Sequence, residues 1–586
     1  MSAVDWIVFV LFLAWVVWDG VRRRAGANDL EGYYAGGRSI PWWAAGLSIM
    51  ATQASAITVI GTTGQGHEHG LDFVQAYFGL PFAMVLLCVF LVPFYRSRAV
   101  LTPYELLEAR FGPLTRTLAS LIFLCSRCLA LGAVIYAPAV ALSAMIGLET
   151  WVAVFVIGGL ATAYTTIGGV SAVIWTDVKQ MTVILIGLVL VGVVLLRDLL
   201  PVFDFGQMLE LAGAAGKLNA LELEPAHDGL WPRTHAEITA GVGTPSFWEE
   251  KYNVWSGLFG GLFLHLAYFG CDHSQAQRLL TSRDVDQSKK SLLVSAFAKV
   301  PMQTFVLFLG VLMWLFYAVH GQPLLYKSDH VARAATAELA PRVAAIEARF
   351  TVALAERTAR MQELAALPGG PTSDADALRR YQAAVGAVQE LRREARVLVG
   401  GKVDALGRPQ DDRDTNDVFC RFVLAEMPPI VLGLIIAAIF AAAMSSIDSV
   451  LNALSSATVV DFYRRWLRPR GSEAAAVQVG RFVTVFWGVV ATFTALFFAG
   501  GGSIIEQINM VGSFFYGSLL GIFALALFVP RAGAVAGSVS LLAGMAAVGV
   551  VHLVWKVEFL WYNVVGAVAV LVVGWLVSLV EPRRAT

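Results

Sequence analysis

Thirteen apolar runs, most of about twenty residues, recur from one end of the chain to the other. A helix needs about that length to cross the hydrocarbon of a bilayer. The runs fall at about 4–21, 41–63, 72–95, 117–146, 151–167, 177–198, 253–276, 291–319, 429–459, 476–499, 505–529, 534–553 and 560–580. Composition agrees with them. Of 586 residues, 57% are hydrophobic and 15% charged, where a soluble domain carries about 25% charged residues. The fold class that follows is an all-α integral membrane protein, with the lipid bilayer as its first partner. No nucleophile, base and third group form a catalytic set, so an enzyme is not expected. The formal net charge is zero, and nothing in it points to nucleic acid.

Orientation follows from the basic residues. The first run has no basic residue before it and "RRR" after it, the reverse of a signal peptide. It reads as a retained helix with its N-terminus outside. The connections "YRSR", "SRDVDQSKK", "RRWLRPR", "PRAG" and "EPRRAT" then fall on the cytoplasmic side, while "GLET", "AGGGS" and "WKVEF" face out. Basic residues follow that alternation, as the positive-inside rule requires. The five cysteines, including the C-x-x-C of Cys125 and Cys128, read as packed core residues rather than a metal or redox site.

Two segments on the outer side are long. Residues 199–252 are punctuated by Pro and Gly. Residues 320–428 hold much of the charge, and two Ala/Glu/Arg-rich stretches, 331–366 and 374–399, flank "LPGGPTSD". That pattern predicts a helical hairpin with Leu339, Val343, Ile346, Phe350 and Leu354 on one face. It reads as an outer cap, with a protein partner there left open. An outer hairpin points to a cell envelope, here a bacterial inner membrane.

Two runs carry polar interruptions at mid-depth: Thr52, Gln53, Ser55 and Thr58 in the second, and His265, Tyr268, Gly270, Asp272 and His273 in or just past the middle of the seventh. Paired interruptions at corresponding places in two halves point to an inverted-repeat transporter with its site at the midplane. The ninth run poses a related question. "IFAAAMSSIDSVLNALSSA" is apolar, yet it holds Ser445, Ser446, Asp448, Ser449 and Asn452 at one depth. Two adjacent hydroxyls and the Ala442 carbonyl one turn earlier present three oxygens. Two carbonyls from an unwound second run would complete five. Such an uncharged oxygen set suits Na⁺ better than a divalent ion. Serines that only hydrogen-bond between helices account for the spacing equally well.

Four stretches, "GGRSIPWWAAGLSIMATQASAITVIGTTG", "TTIGGVSAVIWTDVKQ", "YFGCDHSQAQRLLTSRD" and "AAAMSSIDSVLNALSSATVVDFY", resemble the sodium/solute symporter family over about 30–320 and 429–530. The resemblance implies two five-helix inverted repeats. Residues 1–30 become an additional N-terminal helix, 31–198 the first repeat and 199–252 an outer loop. Residues 253–319 open the second repeat, 320–428 form a helical insertion, 429–530 complete the repeat, and 531–586 supply two C-terminal helices. It also implies sodium as coupling ion, held by the carbonyls of Ala51, Ala54 and Ala442 and the hydroxyls of Ser445 and Ser446. Asp177 falls on the sodium exit route, and with Asp448 and Ser449 it offers a second cation site.

Solute contacts are expected from the broken helices and those facing them: Gln53, Ser55, Thr58, Gln75, Tyr77, His265, Tyr268, Phe269, Lys299 and Asn509. Tyr268 matches the family's aromatic gate. Lys299 and Asn509 fall where sugar-transporting members place polar contacts. Tyr77 and Leu80 replace two sugar contacts, which weakens a sugar reading. Arg127 is a candidate for a carboxylate, since a guanidinium fork makes two parallel hydrogen bonds. Its other readings are snorkelling or a pair with Asp177 or Asp448. The functional reading is a sodium-coupled secondary active symporter that imports a small polar solute (organic anion, vitamin-like, amino acid or sugar) by alternating access. A transporter-like sensor and an ion channel are the rivals. The short tail "VEPRRAT" carries no output domain, which argues against the sensor.

Overall fold

The computed structural model describes residues 1–22, 29–223, 229, 231–240, 242–250, 252–403, 409, 410, 412–497 and 504–582. The expected outward segment "AGGGS", the end of "RRR" and the last four residues of the tail lie outside them. The longer helices are, in order, α1 (Ala3–Arg22), α2 (Trp42–Gln53), α3 (Ala56–His69), α4 (Asp72–Arg96), α5 (Pro113–Ile146), α6 (Thr150–Leu199), α7 (Ser256–Cys271), α8 (His273–Thr281) and α9 (Val285–His320). There follow α10 (Ala340–Ala365), α11 (Ala375–Gly400), α12 (Asp417–Glu426), α13 (Val431–Ala457), α14 (Glu473–Ala495), α15 (Ile504–Phe528), α16 (Ala534–Val554) and α17 (Phe559–Val580). Among the described residues the one β-ladder pairs Lys402–Val403 with Pro409–Gln410.

Among the described residues, ten helices are long and apolar enough to cross a membrane, and α2 with α3, bent by 60°, makes an eleventh. The two spans expected at 151–167 and 177–198 are one continuous run, α6, cornered at Gly169. Gly169 has φ 62°, a left-handed conformation that costs glycine nothing because it lacks a Cβ. The span expected at 253–276 ends at Cys271. Asp272 starts a new helix there by accepting the Ser274 N–H at 2.8 Å, which a helix N-terminus needs for its unpaired amides.

The helices face two solvents. Large apolar side chains such as Phe82, Phe482, Phe493 and Val572 are exposed, as a lipid-facing surface requires. α13 is different: its residues are buried on nearly every side, against α1, α5, α6 and α14. Its hydroxyls and carboxylate therefore meet other helices and not lipid. Its N-terminus is capped from the far end of the chain, where Asp5 of α1 accepts the N–H groups of Ile430 at 2.8 Å and Gly433 at 3.2 Å. α3 crosses α9 with backbones nearly touching. A Cβ on Gly66 would stand 2.1 Å from the Leu307 carbonyl oxygen, and one on Gly310 would stand 2.1 Å from that of Thr63.

The hairpin is present as α10 and α11. Its first arm starts at Ala340 rather than 331, because a separate short helix, Ser328–Ala334, precedes it. Val343, Ile346 and Phe350 are buried, while Leu339 and Leu354 pack at the edge of the same cluster. The cysteine expectation needs correction too. Cys88, Cys271 and Cys420 are buried, but Cys125 is exposed and Cys128 half-buried, and all five are free.

Candidate functional site

The α2–α3 break is built from local hydrogen bonds. α2 ends at Gln53, and Ser55 caps α3 by accepting the Thr58 N–H at 3.4 Å. The Thr58 hydroxyl turns back to the Gln53 carbonyl at 2.8 Å. Carbonyls of the last turn of α2 are thereby left pointing away from any continuing helix, a geometry tolerated at this depth only inside protein or along a cavity. α13 meets them. The Ser445 hydroxyl donates to the Ala51 carbonyl at 3.0 Å and to that of Ala442 at 3.1 Å. The Ser446 hydroxyl donates to the Thr52 carbonyl at 2.9 Å and to that of Ala442 at 3.3 Å. Five uncharged oxygens thus converge from two helices. Their partner on α2 is Thr52 where the sequence suggested Ala54. Ala54 is buried at the break itself, with its N–H bonded to the Met50 carbonyl at 2.8 Å.

A charged cluster lies beside this set. Asp177 of α6 accepts from Ser48 at 2.6 Å, and Arg278 of α8 approaches it at 3.7 Å. Arg278 also donates to the Ser449 hydroxyl, and at 2.6 Å to the Ser274 carbonyl. The Ser449 hydroxyl is 2.9 Å from that of Thr52, which joins the cluster to the break. Asp448 accepts from Tyr164. One oxygen of each aspartate, Oδ1, is buried without a hydrogen-bond partner among the described residues. Asp177, Asp448 and Ser449 therefore do come together. The residue that gathers them, Arg278 of α8, is fully buried and was not singled out, because it lies just past the end of the seventh apolar run at 253–276.

A cavity of about 150 Å³ opens on the same break. Gln53, Ser55, Thr58, Tyr77, His265, Tyr268, Lys299, Asn509 and Arg127 all line it, as does Ser446 of the oxygen set. Two chosen residues do not. The Gln75 amide is buried and turned to the 199–252 segment, where its oxygen accepts the Glu222 N–H at 3.0 Å. Phe269 is buried behind the wall, stacked on His265 and edge-on to Tyr268. Tyr516 and Phe559 line the cavity and were not foreseen, because an aromatic on an apolar helix reads the same whether it faces lipid or a pocket. A second basin, of about 440 Å³, lies against the first, and Ile57 lines both.

Arg127 and Lys299 differ. Arg127 is held by the Asp272 carboxylate and the Tyr516 hydroxyl, and lies over the Tyr268 ring at 5.1 Å. It is neither snorkelling nor paired with Asp177 or Asp448. Lys299 is buried at the cavity wall, 6.0 Å from the Tyr77 ring, and among the described residues no carboxylate meets it. Of these two, Lys299 is the cation with charge to spare.

Sequence comparison decides what such an arrangement belongs to. The model of the sodium:solute symporter family matches residues 33–339 and 397–544. The chain belongs to that family. The sodium/sialic acid symporter NanT of Aliivibrio fischeri is 25% identical over 98% of this chain and 93% of its own length. The sodium-dependent multivitamin transporter of Oryctolagus cuniculus is 25% identical over 93% of this chain and 69% of its own. A solved structure of a Na⁺-coupled sialic acid symporter in a substrate-bound outward-open state superposes with a TM-score of 0.72 over 99% of both chains, at 22% identity. As a sodium:solute symporter, the protein is a multi-pass membrane transporter that couples a solute to sodium, and not an enzyme.

Proposed function

We propose that the protein imports a small organic anion with sodium by alternating access. The reading rests on one observation: the hydroxyls of Ser445 and Ser446 meet the carbonyls of Ala51 and Thr52 at the α2–α3 break, on the wall of a cavity that holds Lys299. Na⁺ takes the five oxygens, with Ala54 in reserve at the break. The hydroxyls then turn their lone pairs to the ion. The solute lies beside it, against Gln53, Ser55, Thr58, Tyr77, His265, Tyr268 and Asn509. Its carboxylate faces Lys299, with Arg127 held back by Asp272. The names of relatives that carry sialic acid and monocarboxylates agree with an acidic solute. Asp177, Asp448 and Ser449 line the exit route. Two carboxylates against one arginine leave room for a second cation there.

The architecture assigned to this cycle has thirteen spans. Division of α6 at Gly169 and inclusion of α7 bring the count to that number. Residues 31–198 and 253–530, less the 320–428 insertion, form the inverted repeats, with the N-terminus outside and the C-terminus cytoplasmic. Coupling is reciprocal, so sodium tightens solute binding by the factor by which solute tightens sodium binding. The membrane potential adds about 2.3 kcal/mol per charge per 100 mV.

Two experiments test this. Ser446→Ala removes one of the five oxygens and is expected to weaken sodium binding about tenfold, the value of about 1.4 kcal/mol, while the protein still reaches the membrane. Sodium dependence of uptake in proteoliposomes reads the effect, and an unchanged half-saturation would count against the ion site. Lys299→Gln is expected to abolish sodium-dependent uptake of carboxylates and leave solute-free sodium binding intact. Undiminished carboxylate uptake in that variant would remove the lysine from the solute site. Counterflow of labelled solute separates a carrier from a channel or a sensor.

A further inference from the structure

The family match skips residues 340–396, which are almost the whole of the α10–α11 hairpin. This inserted piece packs over the outer end of α3 and encloses a pocket of about 320 Å³ with it. The pocket shares no residue with the solute cavity. Five arginines line it, Arg357, Arg392, Arg393, Arg396 and Arg413, against two glutamates, Glu68 and Glu390.

The carboxylates nearby already have partners. Glu68 is engaged by Arg396 at 3.5 Å and by the Thr415 hydroxyl. Glu390 takes Arg393 at 2.5 Å. Behind the wall, both oxygens of Asp414 accept from one Nη of Arg392, at 2.8 and 3.0 Å, and Arg396 approaches at 3.6 Å. Arg357 is left over. It is 1% exposed. Its guanidinium donates to the Gln322 amide oxygen at 2.7 Å and the Tyr317 carbonyl at 3.5 Å. Its Nε–H has no acceptor, and no carboxylate meets it among the described residues. Burial penalises its charge, and an unpaired buried cation is a costly arrangement. Lys217 adds a further positive charge close by, donating to the carbonyls of His67 at 3.0 Å and Glu68 at 2.6 Å.

We propose that this pocket is a binding site for a small oxyanion, carboxylate or tetrahedral, distinct from the solute cavity, with Arg413 shared between it and the wider basin. A guanidinium pairs with such anions through two parallel hydrogen bonds, and the volume suits a small molecule. The bound anion supplies the counter-charge Arg357 lacks and ties the hairpin to α3, the outer half of the broken helix. The site does not depend on which solute is carried.

The test uses the purified full chain in detergent, titrated with sodium sulfate and sodium acetate against sodium chloride at fixed sodium concentration and ionic strength. Thermal unfolding is the readout. A saturable stabilisation by sulfate or by acetate is expected, and the preferred salt tells a tetrahedral anion from a carboxylate. Two variants should weaken it at least tenfold. Arg357→Gln removes the unpaired cation. Gly386→Glu places a competing carboxylate on the pocket wall, where a Cβ meets no atom within 4 Å, so it decides the matter if the arginine variant misfolds. A response that never saturates, that equals chloride, or that persists unchanged in Gly386→Glu overturns the proposal.

Discussion

Replacement of Arg278 by methionine is expected to lower the stability of the protein by about 3 kcal/mol or more and to abolish solute uptake. The arginine is fully buried and is the cation that faces Asp177. Its removal leaves a carboxylate in the protein interior with the Ser48 hydroxyl as its one remaining hydrogen-bond donor among the described residues, and an uncompensated buried charge is far costlier than a lost pair. The functional loss has a separate route. Arg278 holds Ser449, Ser449 meets Thr52, and the Thr52 carbonyl receives Ser446. Slack in that chain loosens the proposed ion ligands. The double variant Arg278→Met with Asp177→Asn is expected to regain most of the unfolding temperature, since it removes both charges, but not the uptake. An unfolding temperature in the single variant within a degree of the parent would show that Asp177 does not need the arginine.

The second large effect is expected at the α3–α9 crossing. Gly66→Ala forces a methyl group into the Leu307 carbonyl, 2.1 Å from where its Cβ must stand. Overpacking of this kind costs about 1–3 kcal/mol. Here the obstacle is backbone, so the helices themselves must part. The half that moves is α3, which carries Ser55 and Thr58 at its inner end, so uptake should fall with stability. Gly159→Ala is the control: it lies exposed on α6 with no atom within 4 Å of the added carbon. There the same change should be neutral or stabilise slightly, since alanine favours a helix over glycine. Thermal unfolding and uptake measured on both proteins check the pair, and equal behaviour would mean the crossing is looser than described.

Much of this was legible in the residues because bilayers impose length and polarity rules. The apolar runs gave nearly every long helix, and the polar interruptions found the α2–α3 break and the end of α7. Ser445 and Ser446 stood out because two hydroxyls in an all-apolar helix need a reason. What stayed hidden depends on partners distant in sequence. Nothing local says that Asp5 caps a helix that begins past residue 430, or that Arg127 belongs to Asp272. Gln75 and Phe269 sit on the correct elements, but rotation about the helix axis, which sequence does not supply, turns both away from the cavity. Arg278 was overlooked because its helix, α8, is short and strongly polar on one face, so it read as a connection at the membrane edge. The structure buries it whole.

Ile57 has a consequence of its own. Its aliphatic side chain stands at the border of the cavity and the wider basin, lining both. A greasy constriction of that kind stops traffic by staying dry and needs no bulky plug. In the proposed cycle a modest swing of α3 would then suffice to wet or dry that border, so the gating asked of the protein is the movement of one half-helix and not of a whole domain.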